Sequence, residues 1–247
     1  MSIKGAASQL QKARYAVVLT GAGISTPSGI PDFRSTENGL WQRFNPMEVA
    51  SLTAFRIRPD KFFNWFRPLA KQIFEALPNP AHKALARLEK AGIVKEIITQ
   101  NIDGLHHQAG SQIVHEVHGT LNTLTCGGCF TKYPSQEFVQ PFIENGQIPK
   151  CKKCNSNLKP DAVLFEEQLP LKTWLAVEEA IDKCDLLLVA GSSLEVVPVA
   201  RLPYQAASHG AGLIIVNHTE TYIDSRADFV FHQDVIDVLP LIADELT

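Results

Sequence analysis

Two kinds of chemistry can be read from the side chains of this chain. One is metal binding. Cys126 and Cys129 form a C-x-x-C pair, Cys151 and Cys154 form a second, and 21 residues separate them. Each pair can supply two thiolates, so the spacing predicts one tetrahedral, structural zinc with no position open to water. Lys132, Lys150, Lys152 and Lys153 surround the pairs and read as a solvated face. The other is the holding of a phosphorylated ligand. Ala16-Val17-Val18-Leu19-Thr20 is an apolar, β-branched run that breaks into Gly21-Ala22-Gly23. A strand entering such a turn exposes backbone N–H groups, and its glycines allow φ > 0 or close approach by another backbone. The G-x-G-x-x-G spacing of a Rossmann turn is not kept, because the next glycine is Gly29 and Trp41-Gln42-Arg43 stands where an acid is expected. A tight strand–helix turn without a ligand is the competing reading. Pro31-Asp32-Phe33-Arg34 favours a ligand, since it adds an acid, an aromatic ring and a guanidinium just beyond the loop.

A second polar turn, Gln100-Asn101-Ile102-Asp103, carries two amides and a carboxylate. Amides suit ribose hydroxyls and a carboxamide, which need donors and acceptors together, although Asn101 or Asp103 could equally be an N-cap. His118 ends a strand on the same side and is a candidate general base. His115, three positions earlier, is expected on the opposite face. His106 and His107 read as helix-surface residues, and Cys184 as a buried thiol before a strand.

These residues need a frame. Strands are predicted at 16–20, 93–99, 113–117, 162–165, 186–190 and 213–217. Helices are predicted at 8–14, from Pro80 to a Gly92 cap, at 171–182, from Pro198 to His209, and from about Val235. The alternation indicates an α/β fold with a doubly wound, parallel, Rossmann-like sheet. In such a sheet ligands sit at the carboxyl ends of the strands. Thr20-Gly21, Thr99-Gln100-Asn101, His118, Gly191-Ser192 and Asn217 would then share one edge. Between Asn45 and Leu77, apolar residues including Val49, Phe55, Phe62, Phe66 and Ile73 recur at helical spacing, interrupted by Pro59 and Pro68. The expected organisation is a nucleotide-binding domain from 1–34, 81–120 and 161–247, a helical insertion at 35–80 and a zinc-ribbon insertion at 121–160. With 45% hydrophobic and 20% charged residues and a net charge of −3, the chain has no broad electropositive footprint for nucleic acid. Met1-Ser2-Ile3-Lys4-Gly5 lacks an apolar export segment and no run is long enough to span a membrane, so a cytoplasmic protein is expected.

Four ordered stretches resemble the signatures of the sirtuins, NAD-dependent protein-lysine deacylases, in a small prokaryotic-type form. They are GAGIS-x-x-SGIPDFR from Gly21, Thr99-Gln100-Asn101-Ile102-Asp103-Gly104-Leu105-His106, His118-Gly119, and Gly191-Ser192-Ser193, with the cysteine pairs before the last. The resemblance implies NAD as co-substrate and release of nicotinamide as the acyl group passes from lysine to ADP-ribose. It implies that Gly21, Ala22, Gly23 and Arg34 hold the phosphates and that Phe33 shields the ribose carbon. Gln100, Asn101, Ile102 and Asp103 would meet the nicotinamide ribose and carboxamide. Ser192 and Asn217 would meet the adenosine half, with Gly191, Ser193 and Val235 as further cofactor contacts. His118 would be the base, with Asn101 beside it in catalysis. An acylated-lysine peptide would add as a strand between Val163, Phe165 and Glu166 on one side and Leu194, Glu195 and Val196 on the other.

Two features depart from the family pattern. Phe165-Glu166-Glu167 stands where Phe-Gly-Glu is usual, which predicts a glutamate at the cleft rim and a preference of at most about fivefold for basic peptide flanks. The Tyr-x-x-Arg pair of desuccinylating members is replaced by Phe66-Arg67-Pro68-Leu69, so a deacetylase is expected, with Arg67 leaving an acidic acyl chain as the alternative. An ADP-ribosyltransferase, or a non-catalytic NAD-sensing zinc-ribbon protein, would use the same pocket. Retention of Phe33, Asn101, Asp103 and His118 argues against the second.

Overall fold

A computed structural model describes residues 2–33 and 39–247. In chain order, α1 (Ile3–Lys12) leads to β1 (Ala16–Thr20), followed by α2 (Leu40–Arg43), α3 (Pro46–Val49), α4 (Leu52–Ile57) and α5 (Pro59–Glu75). Next come α6 (Pro80–Lys90), β2 (Val94–Thr99), α7 (Leu105–Ala109) and β3 (Val114–Glu116). The cysteine-bearing segment contains β4 (Gly119–Cys126), β5 (Lys132–Pro134), α8 (Gln136–Asn145) and β6 (Leu158–Ala162). The chain closes with α9 (Leu171–Lys183), β7 (Leu186–Ala190), α10 (Leu202–Ser208), β8 (Gly212–Val216), β9 (Phe229–Phe231) and α11 (Val235–Asp244).

Six strands form a parallel sheet in the order β3-β2-β1-β7-β8-β9. Every residue of β1 and β7 is buried, as expected of central parallel strands covered on both faces. One face packs against α1, α6 and α11 through Leu10, Leu85, Leu88 and Leu239, and the other against α9 and α10 through Val177, Ile181 and Leu202. From β1 the chain builds outward through β2 and β3; from β7 it builds the opposite way. The switch point therefore lies between β1 and β7, and the crevice above it is where a ligand has room.

The loops leaving β1 and β7 touch at that point. Gly23 N–H donates to Gly191 O at 2.9 Å. Gly191 has φ +61°, and a Cβ there would lie 2.3 Å from Ile24 N and 2.5 Å from the Gly23 carbonyl carbon. Gly21 is extended, at φ −130°, and Gly23 lies in a 3-10 turn, Ala22–Ile24. Left-handed backbone is thus not what these two glycines supply. They supply space: a Cβ on either would come 2.9 Å from Gly191 O.

Several boundaries differ from the sequence expectation. The first helix begins at Ile3 on a Ser2 cap. The strand expected at 162–165 is β6, four residues earlier, because Leu158–Ala162 pairs antiparallel with β4 and alternates inward and outward. Pro59 opens α5, and Pro68 sits inside it without ending it, because Phe62, Phe63, Phe66, Leu69, Ala70 and Ile73 bury one continuous face. Pro198 precedes a short 3-10 turn, and the helix starts only at Leu202. β9, three residues long, was too short to show a period.

The helices after β1 and the cysteine-bearing segment share a core. The Phe142 ring of α8 lies 5.6 Å from Phe63 and 6.0 Å from Phe66. Arg67 donates from Nε to Ile143 O at 2.9 Å and from Nη2 to Glu144 O at 2.7 Å, closing the carboxyl end of α8. Gly191→Ala is expected to destabilise by roughly 2–4 kcal/mol, left-handed strain plus overlap with backbone. Gly92→Ala, at φ +73° with nothing within 4 Å, should cost only the strain, about 1–2 kcal/mol. Urea unfolding of both variants tests the difference; equal losses would mean that the loop contact can relax.

Candidate active site

The polar ends of β1 and β2 are joined first. Thr20 Oγ1 donates to Thr99 Oγ1 at 2.9 Å, Gln100 N–H donates to Thr20 O at 3.0 Å, and Asn101 N–H donates to Thr99 Oγ1 at 3.1 Å. This fixes the backbone from which three polar side chains reach into the crevice. Asn101 Nδ2 donates to Gly21 O at 3.1 Å and to Ser25 Oγ at 3.0 Å. Ser25 Oγ in turn donates to Asp103 Oδ2 at 2.7 Å, and Asp103 Oδ1 accepts from Leu105 N–H at 2.9 Å. Burial pushes the Asp103 carboxyl above its usual range, against the pull of these hydrogen bonds. Gln100 Nε2 donates to Ser192 Oγ at 2.9 Å, linking the β2 turn to the β7 turn. Ile102 packs against the aromatic cluster of the helical segment.

His118 follows β3 on the same edge. Its Nδ1 lies 3.0 Å from Gln100 O. A carbonyl oxygen only accepts, so Nδ1 carries the proton and Nε2 is the basic nitrogen. His115 is directed elsewhere, as expected, and shares the Glu96 carboxylate with the Tyr15 hydroxyl. The Phe33 ring is 5.2 Å from Trp41, which stacks on Trp65 at 5.9 Å and meets Phe165 edge-on at 5.8 Å. Arg34 lies outside the described residues. Asn217 is buried at the end of β8, its Nδ2 donating to Thr219 O at 2.9 Å. The Val235 side chain is in the core, so only its backbone, at the start of α11, is available to a ligand. Gly21, Gly23, Ile24 and Ser25 donate their N–H groups to protein carbonyls, which leaves the first glycine loop fewer donors than its composition suggested.

The peptide side is built around residues 163–166. Val163 N–H donates to His118 O at 2.7 Å, and Phe165 exchanges hydrogen bonds with Ala50 O and Leu52 N–H, both 3.0 Å. Leu194 is buried at φ +55°, its N–H donating to Ser192 Oγ at 3.3 Å. Glu195 and Val196 follow, and Val196 O accepts from Ala200 N–H at 2.8 Å.

The Sir2 family model matches residues 21–198. The chain belongs to the Sir2 family. It is 47% identical over 245 residues to an NAD-dependent protein deacylase 2 of Archaeoglobus fulgidus, covering 99% of this chain and 96% of the relative. A solved Sir2 enzyme structure superposes with a TM-score of 0.91 at 46% identity, covering 98% of this chain and 96% of the other. A Sir2 complex with a p53 peptide and NAD+ superposes at 0.90, with 36% identity and 99% and 98% coverage.

Two expectations for this Sir2 protein are corrected. His106 is not a surface residue: it is 2% exposed, its Nε2 lies 2.9 Å from Thr20 Oγ1, and its ring meets His82 at 5.0 Å. α7 packs on α6 and turns that side of the helix inward, whereas His107 does face solvent. Glu166 does not direct its carboxylate over the cleft. Its Oε2 accepts from Thr53 N–H at 2.9 Å, at the start of α4. Three residues of the network escaped sequence reasoning: Ser25, His82 and His106. His82 had a signal, since it shares the apolar face of α6 with Leu85 and Leu88. Cys184 is a buried thiol, as expected, pushed up to about 11 by burial.

The four cysteine Sγ atoms lie within 4.8 Å of one another, with Cys126–Cys154 at 3.3 Å and Cys129–Cys151 at 3.5 Å. Gly128 and Cys129 N–H groups donate to Cys126 Sγ, and the Tyr133 hydroxyl is 3.3 Å from Cys151 Sγ. Four converging sulfurs with N–H donors behind them fit a closed tetrahedral zinc site. Lys132, Lys150 and Lys152 bond to Asp161, Asn157 and Glu137 rather than forming a joint cationic surface.

Two outcomes are expected. Metal analysis should give one zinc per chain. Because zinc supplies roughly 10–16 kcal/mol of apparent binding free energy in finger peptides, chelation or Cys151→Ser should raise amide exchange across 119–162; a fully protected metal-free protein would contradict the site. The second concerns pH. Burial lowers His82 from 6.5 to about 4. The unfolded chain takes up that proton first, so stability is complete above about pH 6.5 and declines as pH falls towards 4. The loss is on the order of 3 kcal/mol. His82→Asn should flatten urea stability between pH 7 and 5; an unchanged slope would assign the acid sensitivity to other groups.

Proposed function

We propose that this Sir2 protein is an NAD-dependent protein-lysine deacetylase, transferring the acetyl group of a modified lysine to ADP-ribose as nicotinamide leaves. The observation that carries this reading is the His118 imidazole, anchored through Nδ1 on Gln100 O, beside the Asn101–Ser25–Asp103 network on the sheet edge. NAD, when bound, supplies the activated ribose carbon and the hydroxyl that receives the acyl group. The protein's own part is orientation and proton transfer. Asn101 is held through Nδ2 by Gly21 O and Ser25 Oγ, which fixes its amide in one orientation. Gln100 and Ser192 bind as a pair, and Phe33, backed by Trp41, excludes water from the reacting face. His118 takes the hydroxyl proton at Nε2 while keeping its own on Nδ1. Ala22, Gly191, Ser193 and Asn217 complete the dinucleotide site, with Arg34 assigned to the phosphates.

The other substrate is an acylated-lysine peptide, added as an extended strand between 163–166 and 194–196. A carboxylated acyl chain is not the favoured substrate, because Arg67 is engaged on the carbonyls of α8. No nucleic-acid partner is assigned. Among the described residues, no helix is long and apolar enough to cross a membrane.

Incubation with NAD and an acetyl-lysine peptide, following nicotinamide and peptide mass together, tests the assignment. Loss of acetyl supports it, gain of ADP-ribose on the peptide supports transferase chemistry, and no turnover overturns both. His118→Ala should lower deacetylation about 10²–10⁴-fold and nicotinamide exchange much less, because the first displacement precedes the step that needs the base. Equal losses would make His118 structural.

A further inference from the structure

Glu166 occupies a backbone conformation that suits glycine, at φ +74°. It is exposed, and a strained, exposed glutamate needs a physical reason. Its carboxylate provides one. Oε2 accepts from the N–H of Thr53, the second residue of α4 and 113 positions away in sequence. Ser51, the cap of that helix, accepts from Ala54 N–H at 3.0 Å. Two donors at the start of α4 are thus satisfied, one by its own cap and one by a residue of the peptide-binding segment. Thr53 holds the Glu166 carboxyl below its usual range, with a smaller contribution from Arg56.

The neighbouring bonds act in the same direction. Phe165 is bonded through N–H and C=O to Ala50 and Leu52, a single parallel bridge next to the same helix. Glu167 accepts from Leu164 N–H at 2.9 Å and pairs with Lys159 of β6 at 2.9 Å, from a half-buried position. The segment 163–167 is therefore held on one flank by the cysteine-bearing strands and on the other by the helices. On the second flank the described hydrogen bonds are the isolated bridge and the Glu166 contact, beside the Trp41–Phe165 ring contact and the packing of Leu164.

We propose that Glu166 is a positioning residue for the peptide substrate: by capping α4 it ties the peptide-binding segment to the helical segment, so that the cleft is formed before the peptide arrives. The proposal rests on the deacetylase reading for what binds in the cleft, and on geometry alone for the tether. It also replaces the expectation of a charged rim, because a carboxylate engaged on Thr53 offers little to a flanking lysine. Preorganisation of this kind acts on peptide affinity, because otherwise binding must order the segment.

Hydrogen exchange and kinetics on wild type, Glu166→Gly, Glu166→Asp and Glu166→Gln separate the possibilities. Glycine keeps the backbone conformation and removes the tether. Aspartate keeps the charge but is one methylene short, and glutamine keeps the reach with a weaker acceptor. Glu166→Gly and Glu166→Asp should speed amide exchange at 51–54 and 163–167 and raise the peptide KM about two- to fivefold. The KM for NAD and kcat should stay within about twofold, a split that general loss of fold would not produce; Glu166→Gln should fall between these variants and wild type. Peptides flanked by lysine and by glutamate should be used with the same preference by wild type and Glu166→Gly. Unchanged exchange in Glu166→Gly overturns the tether whatever the activity. Faster exchange with an unchanged peptide KM overturns the positioning role. A flank preference in wild type that Glu166→Gly erases would return the carboxylate to the cleft rim. Faster exchange in Glu166→Gly, with a wild-type protein that neither binds nor turns over acetyl-lysine peptide, would leave the tether standing and overturn the substrate.

Discussion

The contact between the loop after β1 and the loop after β7 is the constraint on which the site depends. Gly191 passes so close to Gly23 and Ile24 that no side chain fits between them. That closeness lets Gly191 O accept from Gly23 N–H and sets Ser192 within reach of Gln100. The Gly23–Gly191 and Gln100–Ser192 hydrogen bonds, both 2.9 Å, join the β1, β2 and β7 ends into one hydrogen-bonded surface. The parallel sheet provides the rough convergence, and the glycine contact sets its final spacing.

Below that surface lies a polar layer with little access to water. Thr20, Thr99, Ser25, His82 and His106 are all buried, and the two imidazoles are held neutral by desolvation. Buried polar groups are stabilising only when paired, and this layer is largely paired: Thr20 with Thr99 and His106, Ser25 with Asn101 and Asp103. The remaining ring nitrogens, His82 Nδ1 and His106 Nδ1, have no partner among the described residues. A network of this kind admits few alternative rotamers, which suits a site that must hold an amide and a carboxylate in one orientation.

The segments outside the central sheet share an apolar core that reaches Ile102 and Leu105 at the site, and a few directional contacts fix how they sit. Arg67 fastens α5 to α8, Phe142 packs against Phe63 and Phe66, and Glu166 and Glu167 hold the peptide segment from opposite flanks. Lys159 matters here because its amine also donates to Pro160 O and Ala162 O, so β6 and the peptide segment share one cation.

Much of this could be read from the sequence, for a simple reason. Strand periodicity, glycine at a strand end and the spacing of paired cysteines are local consequences of backbone sterics and ligand geometry. They carried the α/β class, the convergence of Gly21, Gln100, Asn101, His118, Ser192 and Asn217 on one edge, and the clustering of the four cysteines. What depends on how separate elements meet was not local. His106 looked like a surface residue because one turn of helix does not reveal what packs on it, and α6 covers it. Ser25 and His82, distant in sequence, became neighbours only when α6 docked beside the β1 loop. The direction of the Glu166 carboxylate was decided by a free N–H at the start of α4, a donor 113 residues away that no pattern around position 166 could show.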